Sequence, residues 1–339
     1  MKEAWLYEKL DGSRVRCHLC AHRCNIAEGK AGVCGVRQNT EGTLYSLVYA
    51  KPISQAVDPI EKKPLFHFYP GSTSFSIATV GCNFRCRFCQ NSDISQMPRD
   101  GGRIIGQHVP PEDVVASAKS HGCKSISYTY TEPTIFFEYA RDIAVLAHEA
   151  GLANNYVTNG YMTGEMLEAF HPFLDAANVD LKSFRDSFYR QECGARLQPV
   201  LDSLRRMKRL GIWVEVTTLL IPGANDNPTE VRELAEFIAG ELGVETPWHV
   251  SRFHPMYKML DRGSTPERIL KEAWMMGQEA GLRYVYVGNA PEAKGENTYC
   301  YNCGKLVIGR LGFSVREWHI KEGKCAFCST VMDGVGLSD

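Results

Sequence analysis

From about residue 75 to residue 289, short runs rich in β-branched and aromatic residues alternate with longer amphipathic runs of helical period. Residues 75–80, 124–130, 154–158, 177–181, 213–220, 249–253 and 283–287 read as strands. Between them Ile135, Phe136, Tyr139, Ile143, Leu146 and Ala147 recur at three- and four-residue spacing, which predicts a helix over 133–150. Residues 111–120, 197–210, 228–239 and 266–280 carry the same pattern. Several of these runs open with proline near the first turn, where a missing N–H does no harm, and close on glycine, as at Ala150-Gly151 and Ala280-Gly281. Repeated strand–helix units with short links imply an α/β fold, a parallel sheet with helices outside. The sheet is either curled into a full or partial (β/α) barrel or open and doubly wound. In both forms the chemistry gathers at the C-terminal ends of the strands.

The flanks break this rhythm. Residues 1–70 are glycine- and cysteine-bearing, with short strand-like pieces such as 43–48 and no helical pattern, and residues 291–339 are similar. The chain therefore divides into an N-terminal Cys-rich module (1–70), a strand–helix body (71–290) and a C-terminal module (291–339). Neither flank is large enough to bury a core alone, so each is expected to lean on a metal or on the body.

Hydrophobic residues at 44% and charged residues at 23% fit an ordinary globular protein with a sizeable core. A formal net charge of -1 supplies no field to gather nucleic acid or an anionic membrane, which leaves small molecules or specific proteins as partners. Neither an apolar leader nor a bilayer-length apolar run is evident, so the expected location is cytoplasmic. Thirteen cysteines in such a setting read as metal ligands rather than disulfides. Eleven fall into three groups: Cys17/Cys20/Cys24/Cys34, Cys82/Cys86/Cys89 and Cys300/Cys303/Cys325/Cys328. Cys123 and Cys193 stand alone and read as small buried apolar residues.

The central group follows the first strand of the body with spacing C-x3-C-x2-C and an aromatic residue, Phe88, before the third cysteine. Three thiolates on a four-iron cluster leave one iron without a protein ligand, the vacancy a substrate-binding cluster needs. A three-ligand zinc site is the competing reading, but no further Cys or His follows before His108.

The run Gly81-Cys82-Asn83-Phe84-Arg85-Cys86-Arg87-Phe88-Cys89-Gln90-Asn91 resembles the radical S-adenosylmethionine (SAM) superfamily, especially enzymes similar to pyruvate formate-lyase activating enzyme. Three further features resemble, more narrowly, the radical SAM member of the AmmeMemoRadiSam system. They are Cys17-His18-Leu19-Cys20-Ala21-His22-Arg23-Cys24, the stretch HVSRFHPMY at 249–257, and the Cys-rich tail. The resemblance implies a partial (β/α) barrel of the radical SAM type with small Cys-rich metal-binding extensions at both ends. It also implies a [4Fe-4S] cluster on Cys82, Cys86 and Cys89 that cleaves SAM reductively to methionine and a 5′-deoxyadenosyl radical, which takes hydrogen from a substrate. Electrons are expected from an external donor such as flavodoxin or ferredoxin.

The same resemblance marks other residues for SAM, with Phe88 beside the third cysteine. Glu132, in Tyr130-Thr131-Glu132-Pro133, stands where relatives carry a Gly-Gly-Glu-type motif that meets the SAM amino group. Its alternative is a carboxylate serving a helix N-terminus. Thr158 and Asn159, in Val157-Thr158-Asn159-Gly160, resemble an Asp-Thr-Asn-Gly stretch; Val157 replaces the acid, so no cation site is expected there. Asp180 and Lys182 alternate onto one face, which fits the SAM carboxylate or ribose, or else a structural ion pair. Glu215 and Thr217 resemble the ribose- and adenine-side segment, and His254 matches a family histidine close to SAM.

Of the outer groups, Cys300, Cys303, Cys325 and Cys328 form two C-x2-C knuckles, a zinc-ribbon or rubredoxin-like pattern for which zinc is the first reading. Cys17, Cys20, Cys24 and Cys34 form a second full set, for zinc or for a second [4Fe-4S] cluster, with His18 and His22 as spare donors or plain loop polarity. The radical has two destinations to consider. One is a glycine of a partner protein, as in glycyl radical activation; the other is a small molecule or a different modification, with the other AmmeMemoRadiSam proteins as candidate partners. The eight-Cys two-cluster insert of many glycyl radical activators is absent, which favours the second. A non-catalytic zinc-binding adaptor is the alternative from another class.

Overall fold

The computed structural model describes residues 1–290 and 295–338, so residues 291–294 and 339 of the segment assigned to the C-terminal module lie outside the described residues. One sheet of eight strands organises the molecule: β1 (Ser54–Pro59), β2 (Thr73–Ala78), β3 (Ser125–Tyr128), β4 (Ala153–Thr158), β5 (Ala176–Asp180), β6 (Trp213–Leu220), β7 (Trp248–Arg252) and β8 (Val285–Gly288). The last seven are the expected strands. They run parallel in strict chain order, and β1 joins β2 antiparallel at the edge, drawn from the segment assigned above to the N-terminal module. That order resolves what periodicity left open. A doubly wound sheet needs a point where the strand order reverses, whereas a sheet that follows chain order keeps every right-handed crossover on one face and curls. Since β1 and β8 do not pair, the barrel is partial.

The crossovers include α1 (Pro111–Ser120), α2 (Phe137–Glu149), α3 (Gly164–Phe170), α4 (Gln198–Arg209), α5 (Pro228–Phe237) and α6 (Glu267–Glu279). Side-chain alternation explains how they dock. Ile77, Ile126, Tyr156, Val179, Val216 and Val250 point outward and are fully buried in one apolar cluster with the helices. The opposite face is polar. Ser74, Ser127 and Asn155 bond to one another across β2, β3 and β4, and Thr217 donates to Asn178 at 2.9 Å across β6 and β5. None of the described helices is long and apolar enough to cross a membrane.

The flanks complete this polar interior. Glu215, on β6, is fully buried and accepts from the backbone N–H of Phe66 (3.0 Å) and His67 (2.8 Å), from Trp213 Nε1 (3.1 Å) and from His249 Nε2 (2.7 Å). The 64–68 segment thus crosses the inner face, and Arg310 of the C-terminal sheet clamps it by donating to the Phe66 carbonyl at 2.8 Å. That sheet comprises Thr298–Tyr299, Leu306–Leu311 and Ser314–Trp318. At the other end lie two small three-stranded sheets, and one of them is tied to α2 by buried Arg37, which forms a two-pronged pair with Glu138 at 2.8 and 2.9 Å.

His67 ties the body to the tail, with Nδ1 at 2.6 Å from the Asp333 carbonyl and Nε2 at 2.6 Å from the Tyr286 hydroxyl. These partners suit the neutral ring with its proton on Nδ1. Burial lowers its pKa to about 4 from an ordinary 6.5. A histidine depressed in the folded state lends stability that is complete above the unfolded value and lost as pH falls towards the folded one. The melting temperature is therefore expected to drop between pH 6.5 and 4. In His67→Phe it starts lower and changes less over that range; an unchanged slope refutes the assignment.

Candidate active site

The cysteine loop leaves the C-terminal end of β2. Gly81 makes the turn at φ +102, where a Cβ would lie 2.7 Å from Val36 Cγ1 and 3.1 Å from the Cys34 carbonyl oxygen. Only glycine lets the loop press this closely on the Cys34–Val36 backbone and side chains. Backbone contacts then set its course: the Arg85 N–H donates to the Cys193 carbonyl at 2.8 Å and the Arg87 N–H to the Glu192 carbonyl at 3.0 Å. Arg99 donates to the carbonyls of Val33 (2.8 Å), Phe84 (3.2 Å) and Cys82 (3.3 Å). With the main chain pinned from outside, the thiols of Cys82, Cys86 and Cys89 are turned towards the strand ends.

Several expected partners gather there. Asn159 Nδ2 lies 3.9 Å from Cys82 Sγ and donates to Asn83 Oδ1 at 2.8 Å. Lys182 Nζ pairs with Asp180 Oδ2 at 2.9 Å and sits 5.8 Å above the ring of buried Phe88. Burial opposes its charge, but Asp180 and the neighbouring Cys86 and Cys193 hold the ammonium well above the ordinary lysine value. Burial, followed by the Glu132 carboxylate, pushes the Cys82 thiol well up. Cys86 is held down, chiefly by a hydrogen bond from the Cys193 thiol. Thr217 stands opposite Asp180 in the sheet.

Other expected residues are placed differently. Glu132 is buried and caps the 3₁₀ turn Pro133–Phe136, accepting from Thr134 N at 3.0 Å and Oγ1 at 2.5 Å. It also accepts from Thr158 Oγ1 at 2.7 Å and from the Asn159 N–H at 2.8 Å, against burial that raises its pKa. Its geometry is that of the helix-terminus alternative. Glu132 positions Thr158 and Asn159, and the Thr158 hydroxyl is spent on it. Glu215 does not face the cysteines with a free oxygen, because the 66–67 backbone, Trp213 and His249 occupy it. His254 is exposed with Nδ1 3.0 Å from Ser264 Oγ. The Nε2 of His22 lies 2.8 Å from the Asn83 carbonyl.

Cys193, Ser95 and Arg99 were not anticipated. Ser95 Oγ sits 3.2 Å from Cys89 Sγ. Cys193 arrives from a segment about a hundred residues away and has no spacing signal, only the following Gly194 in a left-handed turn. Arg99 acts through carbonyls, which no side-chain pattern records.

The outer sets differ in spacing. Zinc with Zn–S bonds of about 2.3 Å holds neighbouring sulfurs about 3.8 Å apart. Cys300 and Cys328 are 3.6 Å apart, Cys303 and Cys325 3.8 Å, and all four sulfurs lie within 4.8 Å of one another. Cys17, Cys20, Cys24 and Cys34 instead line a cavity together with Leu19, Ile26, Arg37 and Ile135.

The model of the radical SAM superfamily matches residues 76–238. The chain is 48% identical over 335 residues to "Uncharacterized protein MJ0808" of Methanocaldococcus jannaschii, covering 98% of this chain and 99% of that protein. It is 25% identical over 207 residues to the isethionate sulfite-lyase activating enzyme of Nitratidesulfovibrio vulgaris, covering 56% of this chain and 65% of that one. A crystal structure of a radical SAM methyltransferase from Sphaerobacter thermophilus shares the fold, with a TM-score of 0.51 at 16% identity over 70% of this chain and 71% of that one. The chain belongs to the radical SAM superfamily. Membership implies a [4Fe-4S] cluster and SAM, and the loop fits both: three thiols of one short turn, an ammonium, a carboxylate and an amide in reach.

Gly81→Ala is expected to force the loop from Val36, destabilising the fold by roughly 1–3 kcal/mol and lowering iron uptake after anaerobic reconstitution. Wild-type melting and iron content in this variant would refute the close-approach argument.

Proposed function

We propose that Cys82, Cys86 and Cys89 hold the [4Fe-4S] cluster and that the protein cleaves SAM reductively to a 5′-deoxyadenosyl radical, which abstracts hydrogen from a substrate. The observation that carries this reading is the convergence of the three thiols with Asn159, Asp180 and Lys182 at the C-terminal mouth of a partial barrel. When bound, such a cluster supplies a low-potential electron and an iron without a protein ligand for the SAM amino and carboxylate groups.

The chain's own residues do the rest. Lys182 presents a fixed ammonium to an anionic group, and Asp180 keeps it charged and aimed. The Asn159 side-chain amide donates to Asn83 Oδ1 and accepts from the Tyr161 N–H, while Glu132 holds its backbone N–H, so Nδ2 can meet a sulfur or a ligand without reorganisation. Phe88 walls the site and keeps water from the ammonium. Four zinc-spaced thiols support a structural zinc in the 291–339 module, beside a Cys-rich 1–70 module and a 71–290 body.

On the Cys17–Cys24 and 249–257 motifs we assign the chain to the radical SAM component of the AmmeMemoRadiSam system, an oxidoreductase of the cytoplasm fed by a flavodoxin- or ferredoxin-type donor. A second reading, activation of a glycyl radical partner protein, is supported by the likeness to the isethionate sulfite-lyase activating enzyme.

Anaerobic reconstitution with dithionite and SAM is expected to release 5′-deoxyadenosine and methionine. Replacing Cys82, Cys86 and Cys89 together by Ala abolishes this. Lys182→Met weakens SAM binding by roughly 10–100-fold, the range for one charged hydrogen bond. A protein that takes up zinc but no iron–sulfur cluster overturns the reading and favours the adaptor.

A further inference from the structure

We propose that Cys17, Cys20, Cys24 and Cys34 hold a second four-iron cluster rather than zinc, in a chamber that shares a wall with the first cluster's loop. The inference goes beyond the SAM-cleavage reading and is tested so that either can fail alone.

Spacing is the first ground. Among the described residues, the Cys300 set is the one group of three or more metal-ligating side chains whose donor atoms all lie within 4.8 Å of one another. No three of the four N-terminal sulfurs meet that limit, and neither do the three of Cys82, Cys86 and Cys89. The chain therefore contains its own two standards, a tight set at zinc spacing and an open set in the position its family gives to a cubane. The N-terminal four belong with the open set. All four residues line one cavity, and the ligands of a four-iron cluster stand around such a space rather than on one point. The backbone holds them there: the Cys17 N–H donates to the Cys24 carbonyl and the Arg23 N–H to the Cys20 carbonyl, both at 3.0 Å.

The lining is the second ground. Leu19, Ile26 and Ile135 make the chamber apolar, and Arg37 adds a cation that is only 2% exposed. Its terminal nitrogens are committed to Glu138 and the Trp5 carbonyl, but its buried Nε–H has no partner. A buried N–H of this kind is costly unless something accepts from it. A tetrathiolate cluster, which is anionic and carries sulfide acceptors beyond its ligands, meets that need.

The third ground is position. The Cys34 carbonyl lies against Gly81, Arg99 bridges the carbonyls of Val33 and Cys82, and His22 reaches the Asn83 carbonyl from the Cys20–Cys24 turn. Two clusters separated by this one layer of chain form an electron relay. A low-potential donor protein gives one electron to the second cluster, which passes it to the first and returns to its oxidised state.

The test is metal and sulfide analysis with electron paramagnetic resonance on the full chain after anaerobic reconstitution. Wild type is expected to hold about eight irons, about eight sulfides and about one zinc. With Cys82, Cys86 and Cys89 replaced by Ala, about four irons remain, with a reduced-state signal that SAM leaves unmoved. Cys20→Ser with Cys34→Ser also leaves about four, with a signal that SAM shifts. Should the cysteine variants misfold, Arg37→Gln provides a second reading, a lower midpoint potential for the SAM-insensitive signal alone. About four irons and about two zincs in wild type overturn the second cluster and leave the SAM reading intact. Iron that survives the triple replacement, with no SAM-responsive signal in wild type, does the reverse.

Discussion

A curled sheet that is apolar outside and polar inside cannot close on its own, because each inward amide, hydroxyl and carboxylate must find a partner. Glu215 is where this constraint bites hardest. A fully buried carboxylate at the centre of the sheet is tolerable only with its oxygens filled, and the donors come from 66, 67, 213 and 249. The 64–68 segment must then be held in the barrel, which is what Arg310, on the Phe66 carbonyl, and the Asp333 carbonyl, on His67 Nδ1, do from the tail side. The segments flanking the sheet thus answer the needs of a polar barrel interior, and the polar rows left at the strand ends, Asp180, Lys182 and Asn159, face the cysteine loop instead of a plug.

Legibility followed locality. The seven parallel strands and the larger helices were readable because each carries its own period and its proline and glycine brackets within a dozen residues. β1 was not: Ser-Gln-Ala-Val-Asp-Pro is half exposed, ends on proline and lies in a stretch whose cysteines dominate its reading. α3, at seven residues, is too short for a period to show. At the site, pairing in the sheet aligns Asn178 with Glu215 and Asp180 with Thr217, in keeping with alternation, and Lys182, two residues past the end of β5, pairs with Asp180. Alternation says nothing about depth. Glu215 lies one pleat below Thr217, and its fate is decided by amides 148 and 149 residues away.

The same limit explains Glu132 and Cys193. A carboxylate before proline at a strand end has two ordinary uses, a ligand contact and a helix cap, and the choice rests on whether Thr158 and Asn159 arrive beside it. Cys193 looked like a core residue and is as buried as one, but the Arg85-to-Cys193 backbone bond brings its thiol onto Cys86. Neither outcome is encoded within a window of sequence.

Metal preference was the least legible property, because cysteine offers the same sulfur to zinc and to iron. Spacing in the fold separates what spacing in the chain does not. In the tail, two C-x2-C knuckles face each other across a hairpin and bring all four sulfurs within 4.8 Å of one another, with Cys300 against Cys328 and Cys303 against Cys325. The N-terminal set spreads its ligands over a strand end, a turn and the next loop, and all four residues line one cavity. Buried charge points the same way. The Arg37–Glu138 pair is desolvated and of little net benefit by itself. Arg37 lines the cavity of the N-terminal cysteines and feels Cys17 and Cys34 as well as Glu138, so an anionic centre there would give this buried cation a second negative neighbour.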